Sequence, residues 1–152
     1  MRRAHIGRVV EIMLHAEPWQ SYDFSPDRIA DYLGGMVDAG MARVLAVPDA
    51  GHAPAGEEIA GVCIVQPSFL GGRFLEILAL DTPYRRRGLG RAILEAICDE
   101  CPPQLRDYFV LVAGSNANAV AFYKRLGFVD VGDLPGLIRP DKVERLIWWR
   151  FR

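Results

Sequence analysis

The chain has 152 residues, 51% hydrophobic and 24% charged, with 18 Lys and Arg against 19 Asp and Glu for a net charge of −1. That length and apolar content suffice for one domain over residues 1–152, with a core that needs neither disulfides nor a metal. The near-neutral balance argues against a nucleic-acid partner, and no apolar run approaches the ~18 residues that cross a bilayer, so no membrane partner is expected.

Taken in chain order, residues 2–4 suit a short first strand. Ile6, Val9, Val10, Met13 and Leu14 recur at helical spacing and predict a helix over 5–16. The loop at 17–24 is rich in aromatics. Trp19, Tyr22 and Phe24 either line an apolar acceptor pocket, with His15, Glu17 and Asp23 as polar contacts, or pack as a helix–helix connection. Ser25-Pro26 reads as an N-cap with proline at the first helical position, opening a helix that runs to about Ala39 with Gly40 past its end. Strands over 43–47 and 59–65 enclose a polar loop at 48–56, and a turn at 67–72 leads into a strand over 74–80. A helix over 92–97, a strand over 108–112, a helix over 116–126 and strands over 128–131 and 143–151 follow. The order β-α-α-β-β-β-α-β-α-β-β is an α/β arrangement around a mixed sheet, mostly antiparallel in its first half. In the last strand, Trp148 and Trp149 either pack the sheet or form the seam of a homodimer.

Met1-Arg2-Arg3 is basic, but no long apolar segment and small-residue cleavage site follow it. The expected location is therefore cytoplasmic, with the three cysteines reduced. Cys98-x-x-Cys101 lies at the end of a helix, away from the N-terminal dipole that stabilises a reactive thiolate, so neither a redox nor a metal role is expected. Cys63 sits mid-strand with no histidine near it in sequence, which gives no reason to expect a covalent enzyme intermediate.

The most informative stretch is Arg85-Arg86-Arg87-Gly88-Leu89-Gly90-Arg91, between an apolar strand and a helix. The first amides of a helix have no internal partners, and the helix dipole places partial positive charge there. Gly88 and Gly90 lack a Cβ, so a phosphate can approach the main chain, and four arginines surround it. A nucleotide P-loop is excluded, since the chain has no Lys-Ser or Lys-Thr pair. The dinucleotide fingerprint lacks its third glycine, the position being Ile93. A coenzyme A pyrophosphate is the third possibility.

A second segment, Asn116-x-x-Ala119-x-x-Phe122-Tyr123-Lys124-Arg125-Leu126-Gly127-Phe128, follows one βα unit later. Together the two segments resemble the GNAT acetyltransferase superfamily. The first matches its Arg/Gln-x-x-Gly-x-Gly/Ala signature as Arg85-x-x-Gly88-x-Gly90, and the second matches its Asn-x-x-Ala-x-x-Phe/Leu-Tyr-x-x-x-Gly-Phe signature without a gap. The resemblance implies a GNAT-like sheet flanked by helices, acetyl-CoA as cosubstrate, no metal, and a small-molecule or peptide amine as acceptor.

It further implies that Leu78, Ala79 and Leu80 pair with the pantetheine arm through their main chain, and that the turn 85–91 takes the pyrophosphate. Asn116 either contacts the pantetheine, with Ser115 capping the helix, or is itself the cap. Tyr123 either points its hydroxyl at the thioester sulfur or packs with Phe122. Glu76 is the one charge in an apolar strand, sharing a face with Phe74, Leu78 and Leu80. It is either the general base for the amine, directly or through water, or a half-exposed acid paired with an arginine. The run at 115–123 also resembles ribosomal-protein N-terminal acetyltransferases, which carry a catalytic glutamate where this chain has Leu111. A sensor that binds acyl-CoA without turnover would keep the arginines and Asn116 but need neither Tyr123 nor a base.

Overall fold

The computed structural model describes residues 1–47, 58–100, 102 and 107–150. The loop expected at 48–56, Cys101 and the end of the last strand at Phe151 lie outside these. Ten principal elements follow one another as α1 (Ile6–Leu14), α2 (Pro26–Asp38), β1 (Ala42–Val47), β2 (Glu58–Phe69), β3 (Gly72–Leu80), α3 (Leu89–Asp99), β4 (Asp107–Ala113), α4 (Ala117–Arg125), β5 (Val129–Pro135) and β6 (Val143–Arg150). The six strands form one mostly antiparallel sheet in the order β1-β2-β3-β4-β6-β5, flanked by helices. β3 and β4 run parallel, whereas β1–β2, β4–β6 and β5–β6 are antiparallel.

The strand expected at 2–4 is instead a 3-10 turn, Arg3–His5. Its polar groups close locally, with the His5 amide donating to the Arg2 carbonyl at 3.0 Å and the Arg2 amide to His5 Nδ1 at 3.4 Å. A segment satisfied within itself offers no ladder to a neighbouring strand.

The residues group into two compact units, one of Met1–Ile64 with Ile77–Gly90 and one of Val65–Glu76 with Arg91–Arg152. In the first, Val9, Ile12 and Met13 of α1 and Ile29 and Leu33 of α2 bury themselves against Val62, Ile64, Ile77 and Ala79 of the sheet. Ser25 caps α2, its hydroxyl accepting from the Arg28 amide at 3.4 Å, with Pro26 behind it. Tyr22 is buried, and the half-buried Trp19 and Phe24 pack against this core, so the aromatic loop is a packed connection between helices.

In the second unit β4 pairs with β6 along its whole length, Asp107↔Arg150 to Ala113↔Glu144. One face of β4 carries the buried Tyr108, Val110 and Val112. There Trp149 stacks on Phe128 with centroids 5.2 Å apart, and Phe128 in turn lies 5.0 Å from Tyr123. Trp149 thus packs the sheet, while Trp148 donates its indole N–H to Asp107 at 2.9 Å beneath the Arg150 guanidinium.

β2 and β3 are joined by Leu70 and Gly71, with φ of 48° and 80°. Two left-handed residues in a two-residue connection are the hairpin geometry that matches strand twist, and Asn-Gly is its preferred sequence. Leu70 is 74% exposed and so gains little from burial to offset its conformation. Leu70→Asn is expected to raise stability by about 1 kcal/mol, read as a higher urea midpoint at unchanged m-value.

Candidate active site

β3 ends at Leu80, and the chain must reverse into α3 within eight residues. Asp81 begins the corner, its carboxylate accepting from the Thr82 amide at 2.8 Å while also pairing with Arg8. Pro83 sits in the short 3-10 turn Thr82–Tyr84, where its missing N–H costs nothing. Arg86 and Gly88 then take left-handed φ values of 60° and 79°. A Cβ added at Gly88 would meet nothing within 4 Å, so the main chain there is bare toward open space at the head of α3. Leu89 and the buried Gly90 form the first turn of that helix. A bare left-handed glycine ahead of free helix amides suits an anion that approaches the backbone.

The arginines of the corner divide by role. Arg85 uses its guanidinium on two main-chain carbonyls, Nε on Leu80 at 2.8 Å and Nη2 on His15 at 3.0 Å. Arg87 lies over the Tyr84 ring, 5.7 Å from its centroid. The hydrogen bond from Tyr84 to Glu58 raises the phenol above its ordinary range and keeps it protonated. Arg91 pairs with Glu95 one turn along α3, at 2.8 Å. Arg86 is exposed, with no hydrogen-bonding or ionic partner among the described residues.

Within β3, burial alternates cleanly, with Leu75, Ile77 and Ala79 buried and Glu76, Leu78 and Leu80 half-exposed. Its ladder to β4 comprises Arg73↔Tyr108, Phe74↔Phe109 and Leu75↔Val110 among the described residues. Leu78, Ala79 and Leu80 lie beyond that register. Glu76 is half-buried and accepts a hydrogen bond from Gln66 Nε2 at 2.8 Å. The partner of this acid is thus a neutral amide where an arginine was one expectation. Gln66 was not legible in the sequence, because it lies ten residues from Glu76 and meets it only through the β2–β3 hairpin.

α4 is closed at both ends by its own sequence. Asn116, not Ser115, is the N-cap, its Oδ1 accepting from the Ala119 amide at 3.1 Å. The cap employs the oxygen alone, and the Nδ2 donors are separate from it. At the other end Gly127, at φ 95°, donates to the Lys124 carbonyl and Phe128 to the Tyr123 carbonyl, at 3.0 and 3.1 Å. This is the Schellman pattern with its apolar contact, here Tyr123 against Phe128. The Tyr-x-x-x-Gly-Phe part of the second segment is therefore a helix stop. Tyr123 is buried between Phe122 and Phe128, while Phe122 itself is half-exposed.

Cys63 is buried and its thiol is pushed up to about 12 by that burial, against a small opposing pull from Arg43. It stays a neutral thiol at physiological pH. Among the described residues no group of three His, Cys, Asp or Glu side chains is arranged to hold a metal, and no helix is long and apolar enough to cross a membrane.

Comparison with known proteins places the chain in a family. The acetyltransferase (GNAT) family model matches residues 9–128, which take in both the corner and α4. The chain is 30% identical over 120 residues to the [ribosomal protein bS18]-alanine N-acetyltransferase of Escherichia coli K12, covering 78% of this chain and 70% of that one. In structure it resembles Ard1 of Thermoplasma volcanium, with a TM-score of 0.76 over all of this chain and 95% of that one at 21% identity. It also resembles yncA of Salmonella typhimurium, solved with its cofactor acetyl-CoA, with a TM-score of 0.67 over all of this chain and 91% of that one at 16% identity. The chain belongs to the GNAT family of acetyltransferases. It is an N-acetyltransferase.

The Asn116 geometry separates two roles that the sequence left together. Asn116→Asp retains a cap acceptor at the positive end of α4 and is expected to keep wild-type stability, whereas Asn116→Ala loses about 1 kcal/mol. Both remove the amide donors, so both weaken acetyl-CoA binding if Nδ2 serves the pantetheine. Thermal unfolding with and without acetyl-CoA reads the two effects apart.

Proposed function

We propose that the chain transfers the acetyl group of acetyl-CoA to a primary amine by direct attack in a ternary complex. The observation that carries this reading is the bare left-handed corner at Gly88, opening α3 directly after an apolar strand. The amides of Gly88, Leu89 and Gly90 take the pyrophosphate, with Arg86 and Arg87 supplying charge. The main chain of Leu78, Ala79 and Leu80 receives the pantetheine as an added strand would, since these residues lie past the β4 register among the described residues. One N–H of that strand also polarises the thioester carbonyl.

Acetyl-CoA, when bound, supplies an activated acyl carbon and a thiolate leaving group. Glu76 takes a proton from the attacking ammonium, directly or through water, and Gln66 holds its carboxylate in one orientation. Tyr123 donates its phenolic proton at the departing sulfur, its ring being fixed by Phe122 and Phe128. The protein acts in the cytoplasm, as one catalytic domain.

The acceptor is a small-molecule or peptide amine. A protein N-terminus, alanine above all, is favoured by the substrate in the name of the E. coli relative. The acid that the resembling subgroup carries at position 111 is leucine here. Phe74 pairs with Phe109, and Glu76 and Leu111 stand two residues beyond them on the same sheet face. In this reading an acid on β3 takes the place of one on β4. Transfer to an alanine-started peptide, followed as release of free coenzyme A, tests this acceptor; turnover with small amines alone would exclude it.

Acetyl-CoA at a hundredfold excess over Kd is expected to raise the melting temperature by about 5–10 °C, since it binds only the folded state. Gly88→Glu places bulk and negative charge at the corner and abolishes that shift, measured against the variant's own unliganded melting temperature. An undiminished shift would put the cofactor elsewhere.

Tyr123→Phe keeps the ring packing and removes the proton. Turnover is expected to fall by about ten- to a thousandfold with acetyl-CoA affinity nearly unchanged. Equal losses of affinity and turnover would identify Tyr123 as a packing residue.

A further inference from the structure

Arg85 opens the arginine-rich signature, and its position invites the reading that it grips phosphate. Its geometry assigns it other work. Nε donates to the carbonyl of Leu80, the last residue of β3, and Nη2 to the carbonyl of His15, which follows the last turn of α1. Both acceptors are main-chain atoms, 5 and 70 residues away in sequence. The planar fork of a guanidinium can hold two such carbonyls at once, and a lysine ammonium on a flexible stem cannot reproduce it. Around this clamp, the His15 ring donates from Nδ1 to the Glu11 carbonyl at 2.8 Å, and the Ser21 hydroxyl donates to the Glu17 carboxylate at 2.5 Å, so the loop after α1 is stitched from its start.

We infer that Arg85 is a positioning residue that locks the loop at 17–24 to the corner at 81–88, and that its side chain is not a phosphate ligand. The consequence rests on the acetyl-CoA site proposed above. Arg85 holds the Leu80 and His15 carbonyls with no ligand present, so the corner that takes the pyrophosphate and the segment after α1 are held together before the donor binds.

The test uses the full chain, with Arg85→Gln and Arg85→Lys beside the wild type. Hydrogen exchange in peptides spanning residues 15–24 is measured first without ligand. The clamp predicts exchange faster by about tenfold in both variants, because lysine restores the charge but not the two-carbonyl fork. The dissociation constant of acetyl-CoA is then measured across ionic strength. A cation that touches phosphate contributes to the salt dependence, so the slope should match the wild type in both variants. Unchanged exchange at 15–24 would overturn the inference. So would a flattened salt dependence in Arg85→Gln that Arg85→Lys restores, the behaviour of a phosphate ligand. Because the exchange measurement needs no ligand, it reads the clamp even if acetyl-CoA fails to protect residues 85–91 in the wild type, a result that would remove the proposed cofactor site instead.

Discussion

The architecture of the site depends on one abrupt reversal, the passage from the end of β3 to the start of α3 through Asp81 to Gly88. An L-residue in a left-handed conformation costs on the order of 1 kcal/mol, and the corner carries one at Arg86 beside Gly88. Long-range bonds to parts of the chain far away in sequence offset that cost. Arg8 of α1 pairs with Asp81, Glu58 of β2 holds Tyr84, and Arg85 reaches back to Leu80 and His15. The corner is thus over-determined by the first unit's own elements, and a backbone held so firmly keeps its amides in place with no ligand present.

α4 illustrates a different economy. Its nine residues are too few to be helical in isolation. They hold because Asn116 satisfies one end, Gly127 and Phe128 satisfy the other, and Tyr123 anchors the middle in an aromatic stack that runs on to Trp149. The same residues that the resemblance assigns to acetyl transfer also build the helix that presents them. Stability and function are therefore not separable by alanine substitution here, and variants that preserve the cap or the ring are the informative ones.

Charge at the corner is less available than the sequence count suggests. Four arginines stand in seven positions, yet Arg85 serves two carbonyls, Arg87 a tyrosine face and Arg91 a glutamate one helical turn away. Anion recognition in such a corner falls mainly to main-chain amides, whose direction is fixed by the fold. A cluster of like charges read in one dimension overstates the field it makes in three, because each cation finds its nearest acceptor first.

By itself the sequence determined the family, the order of the principal elements and the two segments that carry the family resemblance. These are local matters: apolar periodicity, a proline after a serine cap, and glycines where only glycine turns without strain. It extended too far at the start, where residues 2–4 close their polar groups in a turn, and it cut β2 and β5 short because exposed strand ends lose their alternation. Only the tertiary structure decided that Asn116 is the cap, that Tyr123 lies buried against Phe128, that Glu76 is met by Gln66 and that Arg85 holds carbonyls. Each of those is a choice among partners, and a side chain's partner is set by which strands and helices the fold brings beside it, a distance that sequence spacing does not encode.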